Sequence, residues 1–163
     1  MPDGHKPTVR VLFVCLGNIC RSPMAEAVFA HLVREAGLQD KIEADSAGTG
    51  SWHINSAPHP GTMEILEKNG IVYEGRGRQL KRSDLDDFDY IITMDDENLH
   101  NVRRHGKGRA KVAPLLEYAA TASQWGIREV PDPYFGGGFD VVYQLVRDGA
   151  AGLLAAIRKD HGW

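Results

Sequence analysis

The sequence predicts an α/β domain of three layers, with a central four-stranded parallel sheet flanked by helices. Three observations carry this expectation. The run Val9-Arg10-Val11-Leu12-Phe13-Val14 is almost continuously apolar and β-branched, the pattern of a strand buried on both faces. Strand-like and helix-like segments then alternate about four times along the chain. No shift in composition marks a linker within the 163 residues, a length suited to one domain with a sizeable core. Residues 1–7 read as a flexible tail and residues 8–163 as a single domain.

The elements follow in order. After the first strand, Ser22 is a candidate N-cap and Pro23 suits the first helical position. Ala25, Val28, Phe29, Leu32, Val33 and Ala36 recur at helical spacing until Gly37 closes the helix. A second strand is expected at 42–47. A turn-rich stretch, 48–60, leaves Trp52 exposed among small and polar residues. Residues 62–69 read as a helix ending at Gly70, 90–94 as a strand, 95–104 as a helix and Lys111–Pro114 as a short strand. The segment 126–138 is loop, with Pro131, Pro133 and three consecutive glycines. A long final helix carries Val142, Leu145, Val146, Gly149, Leu153 and Ile157 on one face. This alternation is that of a flavodoxin-like domain, in which ligands lie beyond the carboxyl ends of the strands. Cys15 stands at that end of the first strand.

Composition excludes several classes of function. With 42% hydrophobic and 25% charged residues, the chain is neither disordered nor membrane-like in composition. No apolar run approaches a membrane span, and the polar N-terminus lacks the core of a signal peptide. Lys and Arg total 19 against 22 Asp and Glu, a net charge of −3 that gives no reason to expect nucleic-acid binding. An anionic ligand must therefore be drawn by local charge. The two cysteines, Cys15 and Cys20, share one loop and make no disulfide framework. A working thiol of this kind suits the reducing cytoplasm. The seven histidines are scattered, and no metal-ligand set surrounds the cysteines.

The loop after the first strand concentrates the chemistry. Cys15 is followed by Leu16, Gly17, Asn18, Ile19 and Cys20, then by Arg21 and Ser22 at a helix start. A helix N-terminus, a guanidinium and a hydroxyl favour the thiolate, which is nucleophilic without a dedicated base. Gly17 permits dihedrals closed to other residues, and Asn18 tolerates a left-handed conformation. The loop can therefore turn its N–H groups inward as an anion nest. The planar fork of Arg21 matches two phosphate oxygens. These parts suit a phosphate monoester and its transition state. Asp132, stiffened between Pro131 and Pro133, is the best proton donor to the leaving group and can then activate water. The glycines beyond it allow the loop to fold over the cavity. Neither a metal nor another cofactor is required.

These residues resemble the low-molecular-weight protein tyrosine phosphatases. The matching runs are 15–26 (Cys-Leu-Gly-Asn-Ile-Cys-Arg-Ser-Pro-Met-Ala-Glu), Ser46-Ala47-Gly48-Thr49, Thr93-Met94-Asp95 and Asp132-Pro133-Tyr134, in the family's order over residues 8–160. The resemblance implies that Cys15 is the nucleophile, Arg21 binds phosphate, Ser22 stabilises the thiolate and Asp132 is the general acid. It implies that Asn18 holds the loop through Ser46, and that Trp52 and Tyr134 wall the substrate's phenyl ring. Cys20 would form a reversible disulfide with Cys15 under oxidation. The expected partners are tyrosine-phosphorylated proteins, with inorganic phosphate as product; no nucleic acid or membrane is expected, and the chain is expected to act as a monomer. One position departs from the family. Where a histidine precedes an Ala-Arg-Gln run, this chain reads Gly75-Arg76-Gly77-Arg78-Gln79, so the imidazole that braces Asn18 is missing.

Single features separate related chemistries. An arsenate reductase relays a disulfide to later cysteines, and none follows Cys20. A protein-arginine phosphatase carries threonine where this chain has Ile19, and the larger apolar residue favours a phenyl ring. A phosphocysteine carrier has no need of Arg21 together with Asp132, and a phosphotyrosine-binding module has no need of both nucleophile and acid. The basic stretch 101–111 reads as a solvated helix end, and the acidic run 84–89 as surface.

Overall fold

The apolar run near the N-terminus forms the central strand β1 (Val9–Cys15), and its alternation divides its side chains between two cores. In the computed structural model, which describes residues 9–134 and 137–163, β1 pairs in parallel with β2 (Ile42–Gly48) and β3 (Tyr90–Thr93). β4 (Lys111–Pro114) joins β3, so the four-stranded sheet has the order β2-β1-β3-β4. Val14 lies between Ala47 and Thr93 in register. The expected sheet is present with all four strands near their expected limits. The tail expected at 1–7 lies outside the described residues.

One face of the sheet packs Val9, Val11, Phe13 and Cys15 against α1 (Arg21–Glu35), α2 (Pro60–Lys68) and α6 (Phe139–His161). Phe13 and Phe29 meet edge to face there, with centroids 5.4 Å apart. The other face packs Leu12 and Val14 against Leu85 of α3 (Asp84–Asp87), Phe88, and Val102 of α4 (Asp96–Arg103). The three layers follow from this division. Close approach of α6 to the 3-10 turn Leu115–Glu117 and its exit depends on Gly152, where a Cβ would fall 1.7 Å from the Tyr118 carbonyl oxygen.

Two local expectations change. The first helix begins at Arg21 with Cys20 as N-cap, so Ser22 lies inside the first turn and makes no side-chain cap. Its hydroxyl is instead 3.0 Å from Cys15 Sγ, where it serves the loop. The acidic run 84–89 is not simply surface. Asp84 is buried, receives the Lys81 N–H and pairs with Arg78, because Leu85 and Phe88 pull this segment into the second core. The short elements α3, the 3-10 turn and α5 (Ala120–Gln124) are too brief to show a period in sequence.

Topology then locates the site. The chain leaves β1 for β2 on one side and later returns to β3 on the other. The crevice therefore opens beyond the carboxyl ends of β1 and β3. Cys15 ends β1, and Met94 and Asp95 follow β3.

Candidate active site

The loop from Cys15 to Arg21 is shaped by where its carbonyl groups go. The carbonyl of Cys15 accepts from Thr49 N–H, that of Leu16 from Gly50 N–H and that of Ile19 from His59 N–H, at 2.7–2.9 Å. The Cys20 carbonyl accepts from the Thr62 hydroxyl and from Met24 N–H. With these four carbonyl groups engaged by neighbouring segments, the loop leaves the N–H groups of Gly17, Ile19, Cys20 and Arg21 without a protein acceptor among the described residues. That is the composition of an anion nest at a helix start.

Asn18 holds this curve at φ 57°, the left-handed region. Gly17 is not the left-handed residue; a Cβ there would lie 3.1 Å from His53 Cδ2, so its need is space. The Asn18 N–H donates to Cys15 Sγ at 3.3 Å, and its amide nitrogen donates to Ser22 Oγ at 2.8 Å. Because Ser22 Oγ already accepts from Asn18, its own proton is directed at the sulfur. The sulfur thus accepts two hydrogen bonds.

The role expected of Ser46 is corrected. Its hydroxyl donates to Glu26 Oε1 at 2.6 Å rather than engaging Asn18. Asn18 Oδ1 accepts instead from the Arg78 N–H at 2.9 Å. Arg78 is placed by a short parallel bridge of 78–80 onto the end of β2, through Gly48 N–H to Arg78 O and Leu80 N–H to Gly48 O. Its guanidinium is tied down by Asp45 and Asp84. A backbone donor therefore braces Asn18 where the histidine is missing. The space beside Gly75 is taken by Tyr73: a Cβ at residue 75 would fall 2.0 Å from the Tyr73 hydroxyl. That hydroxyl donates to Glu26 Oε1 at 2.7 Å, joining Ser46 on the same oxygen. Burial pushes the Glu26 carboxyl above its ordinary range, against the two hydrogen bonds that lower it.

Arg21 is buried and fully directed. Its Nη1 donates to Asp95 Oδ2 at 2.6 Å and to the Val130 carbonyl at 2.9 Å. Its Nη2 stands 3.5 Å from Asp132 Oδ2. Burial works against the charge, but Cys15, Asp95 and Asp132 outweigh it and hold the guanidinium more firmly protonated than usual. Cys20 is driven the other way. Burial first, then the neighbouring Cys15 and Asp132, push its thiol up to about 12, with Arg21 opposing. Both cysteines are free.

These groups open on one cavity of about 340 Å³, lined by Cys15, Leu16, Gly17, Ile19, Cys20 and Arg21 and completed by Trp52, His53, Asp132 and Tyr134. Asn18 and Ser22 stand behind the lining and hold the loop, whereas Ser46 lies behind it with its hydroxyl on Glu26. Asp132 Oδ1 accepts from the Tyr134 N–H at 3.0 Å, which fixes the carboxylate within its loop. Trp52 is 70% exposed and Tyr134 50%. The Tyr134 ring approaches His53 at 6.1 Å and His59 at 6.0 Å between centroids. His59 also caps α2, accepting from the Gly61 N–H through Nδ1. The expected folding of the glycines over the cavity involves Gly136, which with Phe135 lies outside the described residues. Among the described residues, no group of three His, Cys, Asp or Glu side chains is placed to hold a metal ion, and no helix is long and apolar enough to cross a membrane.

The sequence alone assigns no role to Asp95, His53 or Arg78. Asp95 had a readable signal, since it directly follows a strand end as Cys15 does. Arg78 had none, because it acts through its backbone.

Known proteins share this sequence pattern and fold. The family model for low molecular weight phosphotyrosine protein phosphatase matches residues 10–162. The low molecular weight protein-tyrosine-phosphatase YfkJ of Bacillus subtilis is 50% identical over 155 residues, covering 93% of this chain and 97% of the relative. Its crystal structure superposes with a TM-score of 0.89 at 49% identity, over 96% of this chain and 99% of that one. A low molecular weight phosphotyrosine protein phosphatase of Schizosaccharomyces pombe is 47% identical, covering 91% and 97%. The crystal structure of DARP, a drosophila arginine phosphatase, has a TM-score of 0.84 at 33% identity, over 91% and 97%. The chain belongs to the low molecular weight phosphotyrosine protein phosphatase family and is a phosphatase.

Proposed function

We propose that this phosphatase hydrolyses phosphotyrosine in proteins through a phosphocysteine intermediate, acting as a monomer in the cytoplasm. The observation that carries the reading is the convergence of Cys15, Arg21 and Asp132 on one cavity with two exposed aromatic side chains at its mouth. In the first step Cys15 Sγ attacks phosphorus, the S–P bond forms and the P–O bond to the phenol breaks. Asp132, in its protonated form, gives its proton to the departing oxygen. The free N–H groups of the loop and the Arg21 fork take the three equatorial oxygens. In the second step water attacks phosphorus, the Asp132 carboxylate takes its proton, and the S–P bond breaks to release inorganic phosphate and the thiolate. Charge is managed by protein groups alone.

Under oxidation, a peroxide would convert the Cys15 thiolate to the sulfenic acid. The Cys20 sulfur would then displace hydroxide from it, giving a Cys15–Cys20 disulfide and water.

The alternative substrate is phosphoarginine. Ile19 lines the cavity and supports the aryl reading, since it offers an apolar surface to a phenyl ring. Rates on phosphotyrosine, phosphoarginine and phosphoserine peptides test the choice. The expected order places phosphotyrosine first by a wide margin; a preference for phosphoarginine would reverse it.

A further inference from the structure

A second cavity, of about 470 Å³, adjoins the first, and the two share Leu16 and Trp52 in their walls. One side is a single face of α4 and its C-terminal end: Glu97, Asn101, Arg104 and His105, at helical spacing. Thr49 and Gly50 complete it. The Trp52 indole lies back over Gly50, where a Cβ would fall 1.9 Å from its Cζ3, so the ring stands as a ridge between the two cavities.

The charges on this wall are uncommitted. Arg104 and His105 are exposed and, among the described residues, their side chains enter no hydrogen bond or ion pair. Neighbouring cations differ: Arg109 is held by Asp89, and Arg82 reaches Asp86 and the Lys107 carbonyl. Glu97 supplies the acid of the lining, seven residues before Arg104 and therefore about 10 Å away along the helix. The wall is thus polarised, with its cationic end at Arg104 and His105. In a chain of net charge −3, such a local cationic spot is what draws an acidic segment to this surface.

We propose that this second cavity is a subsite for an acidic side chain close in sequence to the phosphotyrosine of a protein substrate. Arg104 is its principal contact, and His105 adds charge when protonated. A peptide seated with its phosphotyrosine over Cys15 crosses the Trp52 ridge to reach Arg104. The inference rests on the phosphotyrosine reading above and extends it to the neighbouring residues of the substrate.

The test uses the intact protein and a set of phosphotyrosine peptides carrying one glutamate or one lysine at each flanking position in turn. At one position or two adjacent ones, glutamate is expected to raise kcat/KM over lysine by about two- to fivefold, the range of an exposed ion pair, mainly through KM. The gain shrinks at high salt. Arg104→Glu reverses the preference at that position and leaves turnover of free phosphotyrosine as in the wild type, while Glu97→Gln enlarges the preference. Equal rates for glutamate and lysine at every position, or an unchanged preference in R104E, would overturn the proposal. Failure of the wild type on free phosphotyrosine would overturn the reading beneath it, and the subsite with it.

Discussion

Asp95 Oδ2 accepts a 2.6 Å hydrogen bond from Arg21 Nη1, and the same carboxylate caps α4 through the Asn98 N–H at 2.8 Å. One side chain therefore both aims the Arg21 guanidinium and starts a helix. The two roles separate by mutation. Asp95→Asn keeps a capping oxygen but loses the charge partner, so stability should change little while kcat/KM on aryl phosphates falls about tenfold or more. Asp95→Ala should lose about 1 kcal/mol of stability in addition. Steady-state kinetics alongside urea denaturation resolve the two effects; equal activity in D95N and wild type would remove Asp95 from the site.

Cys15→Ser should abolish turnover, and the wild type should keep full activity in the presence of chelators. Retained activity in C15S is the result that the phosphocysteine mechanism does not survive.

Asp132→Ala should slow turnover most for substrates with poor leaving groups. A phenyl phosphate ester should lose about a hundredfold or more, the scale of general acid catalysis, while an activated aryl phosphate loses much less. Equal losses for both would argue against Asp132 as the acid.

Cys20 should behave as an unreactive thiol at neutral pH, because burial and the neighbouring Cys15 and Asp132 push it up to about 12. Brief alkylation with iodoacetamide should therefore label Cys15 and spare Cys20, with inorganic phosphate protecting Cys15. After peroxide treatment, closure of the disulfide should quicken as pH rises toward that value, since the attacking species is the Cys20 thiolate. Mass spectrometry of quenched samples follows both reactions. Preferential labelling of Cys20 would contradict this assignment.

The Tyr73–Glu26–Ser46 cluster should matter for stability and depend on pH. Tyr73→Phe removes one of two donors to Glu26 Oε1 and should cost about 1–3 kcal/mol. The folded-state Glu26 carboxyl lies above its unfolded value, so its protonation favours folding at low pH. That contribution is lost as pH rises through the folded value. Glu26→Gln keeps an accepting oxygen without the charge, so it should flatten this dependence and match or exceed wild-type stability at neutral pH. Chemical denaturation across pH 4 to 8 distinguishes the outcomes; a parallel pH dependence in E26Q would show that Glu26 is not the group responsible.

Much of the site was legible because its chemistry is local. Cys15 to Ser22 lie within one turn of chain, and a strand end followed by a helix start brings a thiol, N–H groups and a guanidinium together whatever packs around them. Asp132 was legible from its stiff proline-flanked setting. The sheet was legible because β1 is apolar on both faces, which only a covered parallel sheet satisfies. The position of Ser22 in sequence suits a cap and a partner of the thiol equally well; the sulfur 3.0 Å away decides between them.

Fold class, the loop joining Cys15 to Arg21 and the order of thiol, guanidinium and acid along the chain were all readable from the residues alone, since each depends on near neighbours and periodicity. What braces them came from long-range packing. Arg78 reaches Asn18 through a backbone N–H across 60 residues, and Asp95 reaches Arg21 across 74. Ser46 turns to Glu26 instead of the loop. Arg104 joins Trp52 around a second cavity. Such contacts depend on where the sheet sets separate segments of chain side by side, and backbone donors carry no residue signature that a sequence could display.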